Sequence, residues 1–158
     1  MKDTKQLTKD LNSLIQLDID AYGAYGQAIP ELPFPHIQER IEKYQEDHKT
    51  HVTTLSEFVR ELKGTPPKFS PDMKGFLIKG MTAIRSKTGP EGALKAMETN
   101  EKLTNDSYAK AVQWDTPSDI KLALEKNFAD EKAHFAFIKD ALSRRLWEEK
   151  EHPSAMVP

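Results

Sequence analysis

An all-α bundle of four helices, arranged as two antiparallel hairpins joined by a long crossover that contains a short helix, is the fold this sequence predicts. Three observations predict it. Apolar residues recur in a 4,3 alternation over four separate stretches, strand-like alternation is absent, and the middle break between stretches is long where the other two are short.

The first stretch, Leu7 to Ile29, carries its inward stripe on Leu7, Leu11, Leu14, Asp18, Ala21, Tyr25 and Ala28, and the three prolines of PELPFP end it. The second keeps the same alternation through Ile37, Ile41, Tyr44, His48, His51, Leu55, Phe58 and Leu62, up to Gly64 and the breaker TPPKFSP. From Gly64 to Gly89 the connection is too long for a tight turn; Phe76, Leu77, Ile78, Met81 and Ile84 predict a short helix around Asp72 to Arg85. Pro90 suits the first turn of the third helix, whose stripe is Leu94, Met97, Glu101, Thr104, Tyr108 and Ala111. At the start of the fourth, Thr116 is the expected N-terminal cap, Pro117 the first helical residue, and Asp119 a carboxylate placed to suit the helix dipole. Its stripe runs through Ile120, Leu124, Asn127, Glu131, His134, Ile138 and Ala141 or Leu142. RRLWEEK is expected to extend this helix, giving one bundle domain over residues 1–148 and a flexible tail over 149–158.

Composition narrows the function classes. With 158 residues the chain is long enough to bury a core without covalent staples, and the absence of Cys excludes disulfides, thiolate metal sites, iron–sulfur clusters and cysteine nucleophiles. A charged fraction of 30%, with both signs mixed and a net charge of -2, offers no basic field, so neither nucleic acid nor a membrane surface is an expected partner. No glycine-rich phosphate cradle follows a strand. The N-terminus lacks an apolar signal core, and no stretch approaches the roughly 20 apolar residues of a membrane span, so the expected location is the cytoplasm.

Each stripe contains ionisable residues at seam positions, which a bundle built only for stability would avoid: Asp18, the pair His48 and His51, Glu101, and the pair Glu131 and His134. All lie near the middle of their helices, so antiparallel packing can bring them to one level. Three carboxylates and three imidazoles are expensive to bury apart, whereas together they have the chemistry of a ligand cage. The two halves of the chain also echo each other at an offset of 83 residues. Asp18 maps to Glu101, Tyr25 to Tyr108, Ala28 to Ala111, Asp47 to Asp130 and His51 to His134, while His48 maps to Glu131.

This pattern resembles the ferritin-like superfamily, which includes rubrerythrins, bacterioferritins and several bacterial families of less defined role. Its di-iron form takes one acid from each of two helices and Glu-x-x-His from each of the other two. The resemblance spans Leu7 to Leu146. Asp18 looks like the first-helix acid, Glu101 like the third-helix acid, and Glu131 with His134, in DEKAH, like the fourth-helix motif. It implies a metal site of Asp18, His48, His51, Glu101, Glu131 and His134, holding one or two iron ions and acting on oxygen or peroxide as a di-iron-type oxidase or peroxidase. Small oxygen species or metal ions would be the partners, with a homodimer the ordinary assembly for such a bundle.

The second helix departs from the family pattern, offering His48-x-x-His51 in place of Glu-x-x-His. A neutral imidazole presents one lone pair and cannot bridge two ions as a carboxylate does. An asymmetric two-metal site is one outcome. A single ion on His48, His51, Glu131 and His134 is another, open to zinc, manganese or iron. Glu98, one turn before Glu101, is positioned to replace or join it. Tyr25 and Tyr108 read as core residues with bonded hydroxyls or as pocket lining, and Asp47 and Asp130 as flanking groups able to orient a ligand histidine. Against all of this stands a metal-free scaffold in which protonated histidines pair with the acids to fix helix register. Metal storage without turnover is a third alternative.

Overall fold

Helix α1 (Thr4–Ala28) starts ahead of its apolar stripe because the Asp3 carboxylate caps it, accepting the Gln6 N–H at 3.3 Å. In the computed structural model, which describes residues 1–70 and 89–149, a 3₁₀ turn over Ile29–Glu31 follows. Helix α2 (Pro35–Glu61) then opens on Pro35, where the missing N–H costs nothing. Helix α2 closes on a left-handed residue, Lys63 at φ 63°; the Lys63 N–H bonds the Arg60 carbonyl and the Gly64 N–H bonds the Val59 carbonyl. Helices α3 (Gly89–Ala111) and α4 (Ser118–Arg144) form the second hairpin. The short helix expected around Asp72 to Arg85 and the tail residues 150–158 lie outside the described residues.

Two expected boundaries are corrected. Pro117, at φ -50° and ψ 148°, is the N-cap of α4 rather than its first residue, and Thr116 Oγ1 makes no hydrogen bond. The carboxylate of Asp119 still serves the first turn, accepting the Ile120 N–H at 2.8 Å. RRLWEEK does not prolong α4 either: Arg145 turns left-handed at φ 51°, and a 3₁₀ turn over Leu146–Glu148 folds back so that Leu146 is buried. An apolar residue two places past the helix end gains more from joining the core than from continuing into water.

Antiparallel contacts join α1 to α2, α3 to α4, α1 to α3 and α2 to α4. Every residue assigned to the stripes of α1 and α3 is buried. In α2, Phe58 and Leu62 are only half-buried, and Val52 and Val59 fill the seam instead. Two apolar clusters result. One gathers Leu11, Ile15, Val52, Leu55 and Leu124; the other gathers Leu32, Ile37, Ile41, Leu94, Met97 and Ile138. The ionisable seam residues lie between them. No strand occurs among the described residues, and none of their helices is long and apolar enough to cross a membrane.

Gly64 is required by close packing. A Cβ there would stand 2.4 Å from the Thr8 methyl and 3.2 Å from the Val59 carbonyl oxygen, and the next residue is anchored by the Asn12 amide donating to the Thr65 carbonyl at 3.0 Å. Gly64→Ala should therefore destabilise the protein by about 1–3 kcal/mol through overpacking between α1 and the end of α2. Thermal unfolding measures it; an unchanged midpoint would mean the two segments part without cost.

Candidate metal centre

All six ionisable seam residues are buried at 0% exposure, and the four helices bring them to one level. Helix α1 supplies Asp18, α2 supplies His48 and His51, α3 supplies Glu101, and α4 supplies Glu131 and His134. Their donor atoms form two overlapping groups, each within 4.8 Å: Asp18, His48, His51 and Glu131, and His48, Glu101, Glu131 and His134. The 83-residue echo carries the first group onto the second. His48 and Glu131, which exchange under it, are the two residues common to both.

The same reciprocity governs the surrounding hydrogen bonds. The Tyr108 hydroxyl donates to Asp18 Oδ2 at 2.6 Å, and the Tyr25 hydroxyl donates to Glu101 Oε1, so each tyrosine serves the acid of the other hairpin. His51 Nε2 donates to Asp130 Oδ2 at 3.0 Å, and His134 Nε2 donates to Asp47 Oδ2 at 3.0 Å. With Nε2 committed outward to a carboxylate, each ring turns Nδ1 inward. Lysines continue both chains to solvent at the equivalent positions: Lys43 lies 3.7 Å from Asp47, and Lys126 lies 2.5 Å from Asp130.

Other participants carried too little signal to be assigned roles from sequence. Asn127 donates to the Tyr108 hydroxyl at 3.2 Å, and Thr104 donates to the Glu101 backbone carbonyl at 3.0 Å. Asn105 donates to the backbone carbonyls of both Glu101 and Glu131 at 2.9 Å, tying α3 to α4. The Tyr44 ring packs against His134 at a tilt of 36°, with ring centroids 4.2 Å apart. The echo held one usable clue, since Tyr44 and Asn127 are equivalent positions flanking the cage. Glu98 is half-buried and belongs to neither donor group among the described residues.

Burial and pairing pull the ionisable groups in opposite directions. Burial pushes the Asp18 carboxyl up, but hydrogen bonds from His48 and His51 outweigh it and hold the group down to about 2. Burial depresses His51, yet its hydrogen bonds to Asp130 and Asp18 and the nearby carboxylate of Glu131 lift it to about 10. His48 is raised well above the ordinary imidazole value by the surrounding acids despite its burial. Glu101 is lowered against its burial by His48. Glu131 is instead raised, by burial and by the neighbouring charges of Glu101 and Asp18. Protons alone thus give a balanced arrangement, two imidazolium cations against Asp18 and Glu101 with Glu131 displaced toward its neutral form.

That balance leaves gaps. Neither oxygen of Glu131 has a hydrogen-bond partner, and neither does His134 Nδ1. Glu131 Oε1 lies 3.2 Å from His51 Nδ1 and 3.3 Å from His48 Nδ1, within ion-pair range but outside hydrogen-bond geometry. A buried polar atom left unpaired costs about 1–3 kcal/mol. Inward-facing lone pairs on nitrogen and oxygen, with no thiolate, fit iron, manganese or zinc.

The family described as "Domain of unknown function (DUF2383)" matches residues 6–114. No curated protein matches the sequence. Among solved structures, the chain is similar to a ferritin-like, diiron-carboxylate protein from Bacillus anthracis str. Ames, with a TM-score of 0.70 and 20% identity over 90% of this chain and 99% of that one. It is also similar to a dodecameric thioferritin, a bacterioferritin-related protein from Bacteroides fragilis, with a TM-score of 0.71 and 19% identity over 91% of this chain and 88% of that one. The fold is the ferritin-like four-helix bundle.

The shifted groups fix how the metal-free protein responds to pH. His51 contributes stability that is complete below the unfolded value of 6.5 and is lost as pH rises toward about 10, and His48 acts in the same direction. Asp18 contributes stability that is complete above 3.8 and is lost as pH falls toward about 2. Denaturant unfolding in excess chelator should therefore give stability that falls toward acid as Asp18 and Glu101 take up protons and falls toward alkali above 6.5 as His51 and His48 lose them, with the raised carboxyl of Glu131 subtracting from it as pH rises above 4.5. A profile still rising through pH 9 would contradict the protonated pairing.

Proposed function

This chain belongs to the DUF2383 family, and from that premise we propose that it is a ferritin-like metal protein whose buried cage takes one or two iron ions, with manganese or zinc as alternatives, and handles oxygen or peroxide. The observation that carries this reading is the pair of outward anchors. Asp47 and Asp130 each hold a histidine of the opposite hairpin by Nε2, which leaves the inward nitrogens facing the unpartnered carboxylate of Glu131.

In this reading Asp18, His48, His51, Glu101, Glu131 and His134 are the ligands. Bound iron would supply Lewis acidity and an exchangeable electron. The chain does the rest. Tyr25 and Tyr108 fix the orientation of the two end carboxylates by donating to one oxygen of each, and the apolar clusters on either side exclude bulk water. Asp18, Glu101 and Glu131 bring three negative charges if ionised, so two divalent ions would leave one positive charge for a bound anion to balance. An oxidoreductase acting as a homodimer in the cytoplasm is the proposed setting. Storage would instead require a closed shell of many subunits.

One observation favours a second reading, a metal-free polar layer. Asp18 Oδ1 already accepts from His48 Nδ1 at 2.9 Å and from His51 Nδ1 at 3.2 Å, so that part of the cage is complete with protons alone. Elemental analysis of protein purified without chelator or a polyhistidine tag separates the two readings. We expect at least one transition-metal ion per chain, reduced to near none in His134→Ala. Asp47→Asn should weaken metal binding by about 10–100-fold while preserving the fold. Anaerobic iron loading followed by oxygen should give an optical transient or consume peroxide; tight iron binding without either would reduce the proposal to metal holding, and metal-free protein would remove it.

A further inference from the structure

We propose that the two halves of the cage fill in a fixed order: the first cation takes the half built on Glu101 and His134, and the half built on Asp18 and His51 fills second and more weakly. This rests on the reading of the cage as a metal site. It goes beyond that reading by assigning unequal roles to two halves that the internal repeat makes nearly equivalent.

The inequality lies in what each half already has bonded. In the Asp18 half both carboxylate oxygens are engaged, Oδ1 by His48 and His51 and Oδ2 by Tyr108, and His51 is engaged at both nitrogens. A cation entering there must first break those bonds. In the other half the Glu101 oxygens are engaged as well, Oε1 by Tyr25 and more distantly by His48 and Oε2 by Thr104, but His134 Nδ1, unlike His51 Nδ1, has no bond to give up, and the nearest carboxylate oxygens stand at 3.7 Å for Glu101 Oε1 and 3.8 Å for Glu131 Oε2. Ligands held at about 2.1 Å by one tetrahedral ion stand ~3.4 Å from each other, so these atoms are spaced more like ligands awaiting a shared ion than like hydrogen-bonded partners.

His48 turns this difference into an order. Its Nδ1 faces Asp18 at 2.9 Å and its Nε2 faces Glu101 at 3.4 Å, one nitrogen toward each half. A neutral imidazole has one lone pair and one N–H. Nδ1 holds the shorter contact, to Asp18, so Nε2, on the longer contact to Glu101, is the nitrogen that releases its proton to an entering cation and completes the Glu101 half as a fourth ligand beside Glu101, Glu131 and His134. The Asp18 half is then left with Asp18, His51 and one oxygen of Glu131, and it gains His48 only by taking that last proton. Glu131, the equivalent residue in the other hairpin, has two oxygens and can face both halves simultaneously.

Cobalt(II) is the probe, titrated into the metal-free full-length chain and followed by its visible spectrum and by equilibrium dialysis. The wild type should bind the first ion at least about tenfold more tightly than the second. His134→Ala should weaken the first binding event, whereas His51→Ala should spare the first and remove the second. His48→Glu, which gives that position two oxygens as at Glu131, should bring the two affinities to within about threefold of each other. Crystals of the wild type carrying one equivalent need no variant to fold: anomalous density beside His134 and Glu101 supports the order, and density beside His51 and Asp18 overturns it. Equal affinities for two ions in the wild type also overturn it. Failure of the wild type to bind cobalt, together with metal-free protein from the cell, would sink the metal reading itself, a result distinct from binding in the wrong order.

Discussion

Six ionisable groups in a layer shielded from water are the constraint on which the rest of this bundle depends. An ion taken alone into such a layer costs several kcal/mol even after relaxation, a penalty comparable to a large part of a domain's net stability. The groups are tolerable only in one another's company, and that company spans all four helices. Register follows directly: sliding α2 by one turn against α1 would take His48 and His51 from Asp18 and leave its buried carboxylate with the Tyr108 hydroxyl alone. The apolar clusters supply the driving force for association. They do not by themselves choose a register, because Leu and Ile contacts re-form readily after a shift, whereas the polar layer has one arrangement.

The internal repeat makes that arrangement economical. Four contacts between hairpins fall into matched pairs: Tyr25 with Glu101 and Tyr108 with Asp18, His51 with Asp130 and His134 with Asp47. A set of side chains on one hairpin therefore complements its own echo on the other. The symmetry is broken at the shared pair, where a carboxylate and an imidazole occupy equivalent places. A carboxylate at both would have concentrated four buried negative charges; the imidazole removes one and brings two N–H groups, which satisfy Asp18 and Glu101 without any metal. His48 thus makes the metal-free protein more tenable and the cage less symmetric in a single substitution of chemistry.

Much of this was readable from the chain because helical periodicity and burial are local consequences of sequence. Every residue named in the stripes of α1 and α3 is buried, though Ile15, Ile19, Ala24 and Ala93 are buried beside them, and charged residues inside an apolar seam marked the polar layer. What periodicity could not supply was direction. That Asp47 and Asp130 reach histidines of the opposite hairpin depends on the packing of α2 against α4, which no single-helix pattern encodes. The same limit applied to Phe58, placed on the correct side of α2 but displaced from the seam by Val59. The ends of α4 were misread for a different reason. Thr116 and RRLWEEK carry ordinary helix signals, and they were overridden by backbone geometry at Pro117 and by the burial of Leu146.

Asp47 and Asp130 also mark where the dry layer meets solvent. Each is about a quarter exposed, with a lysine on its outer side and a fully buried histidine on its inner side. Such a carboxylate does two things by the same contact: it fixes which ring nitrogen faces inward, and it supplies the negative charge that holds the outward N–H when the inner nitrogen gives up its electron pair. On the proposed reading the arrangement suits a cation in the interior, where Glu131 and His134 Nδ1 otherwise lack partners. A bundle meant only for rigidity would gain by replacing the whole layer with aliphatic residues. Acids, imidazoles and their outer carboxylates in matched positions on both hairpins are instead what the proposed metal site requires, each inner nitrogen being aimed by an outer carboxylate.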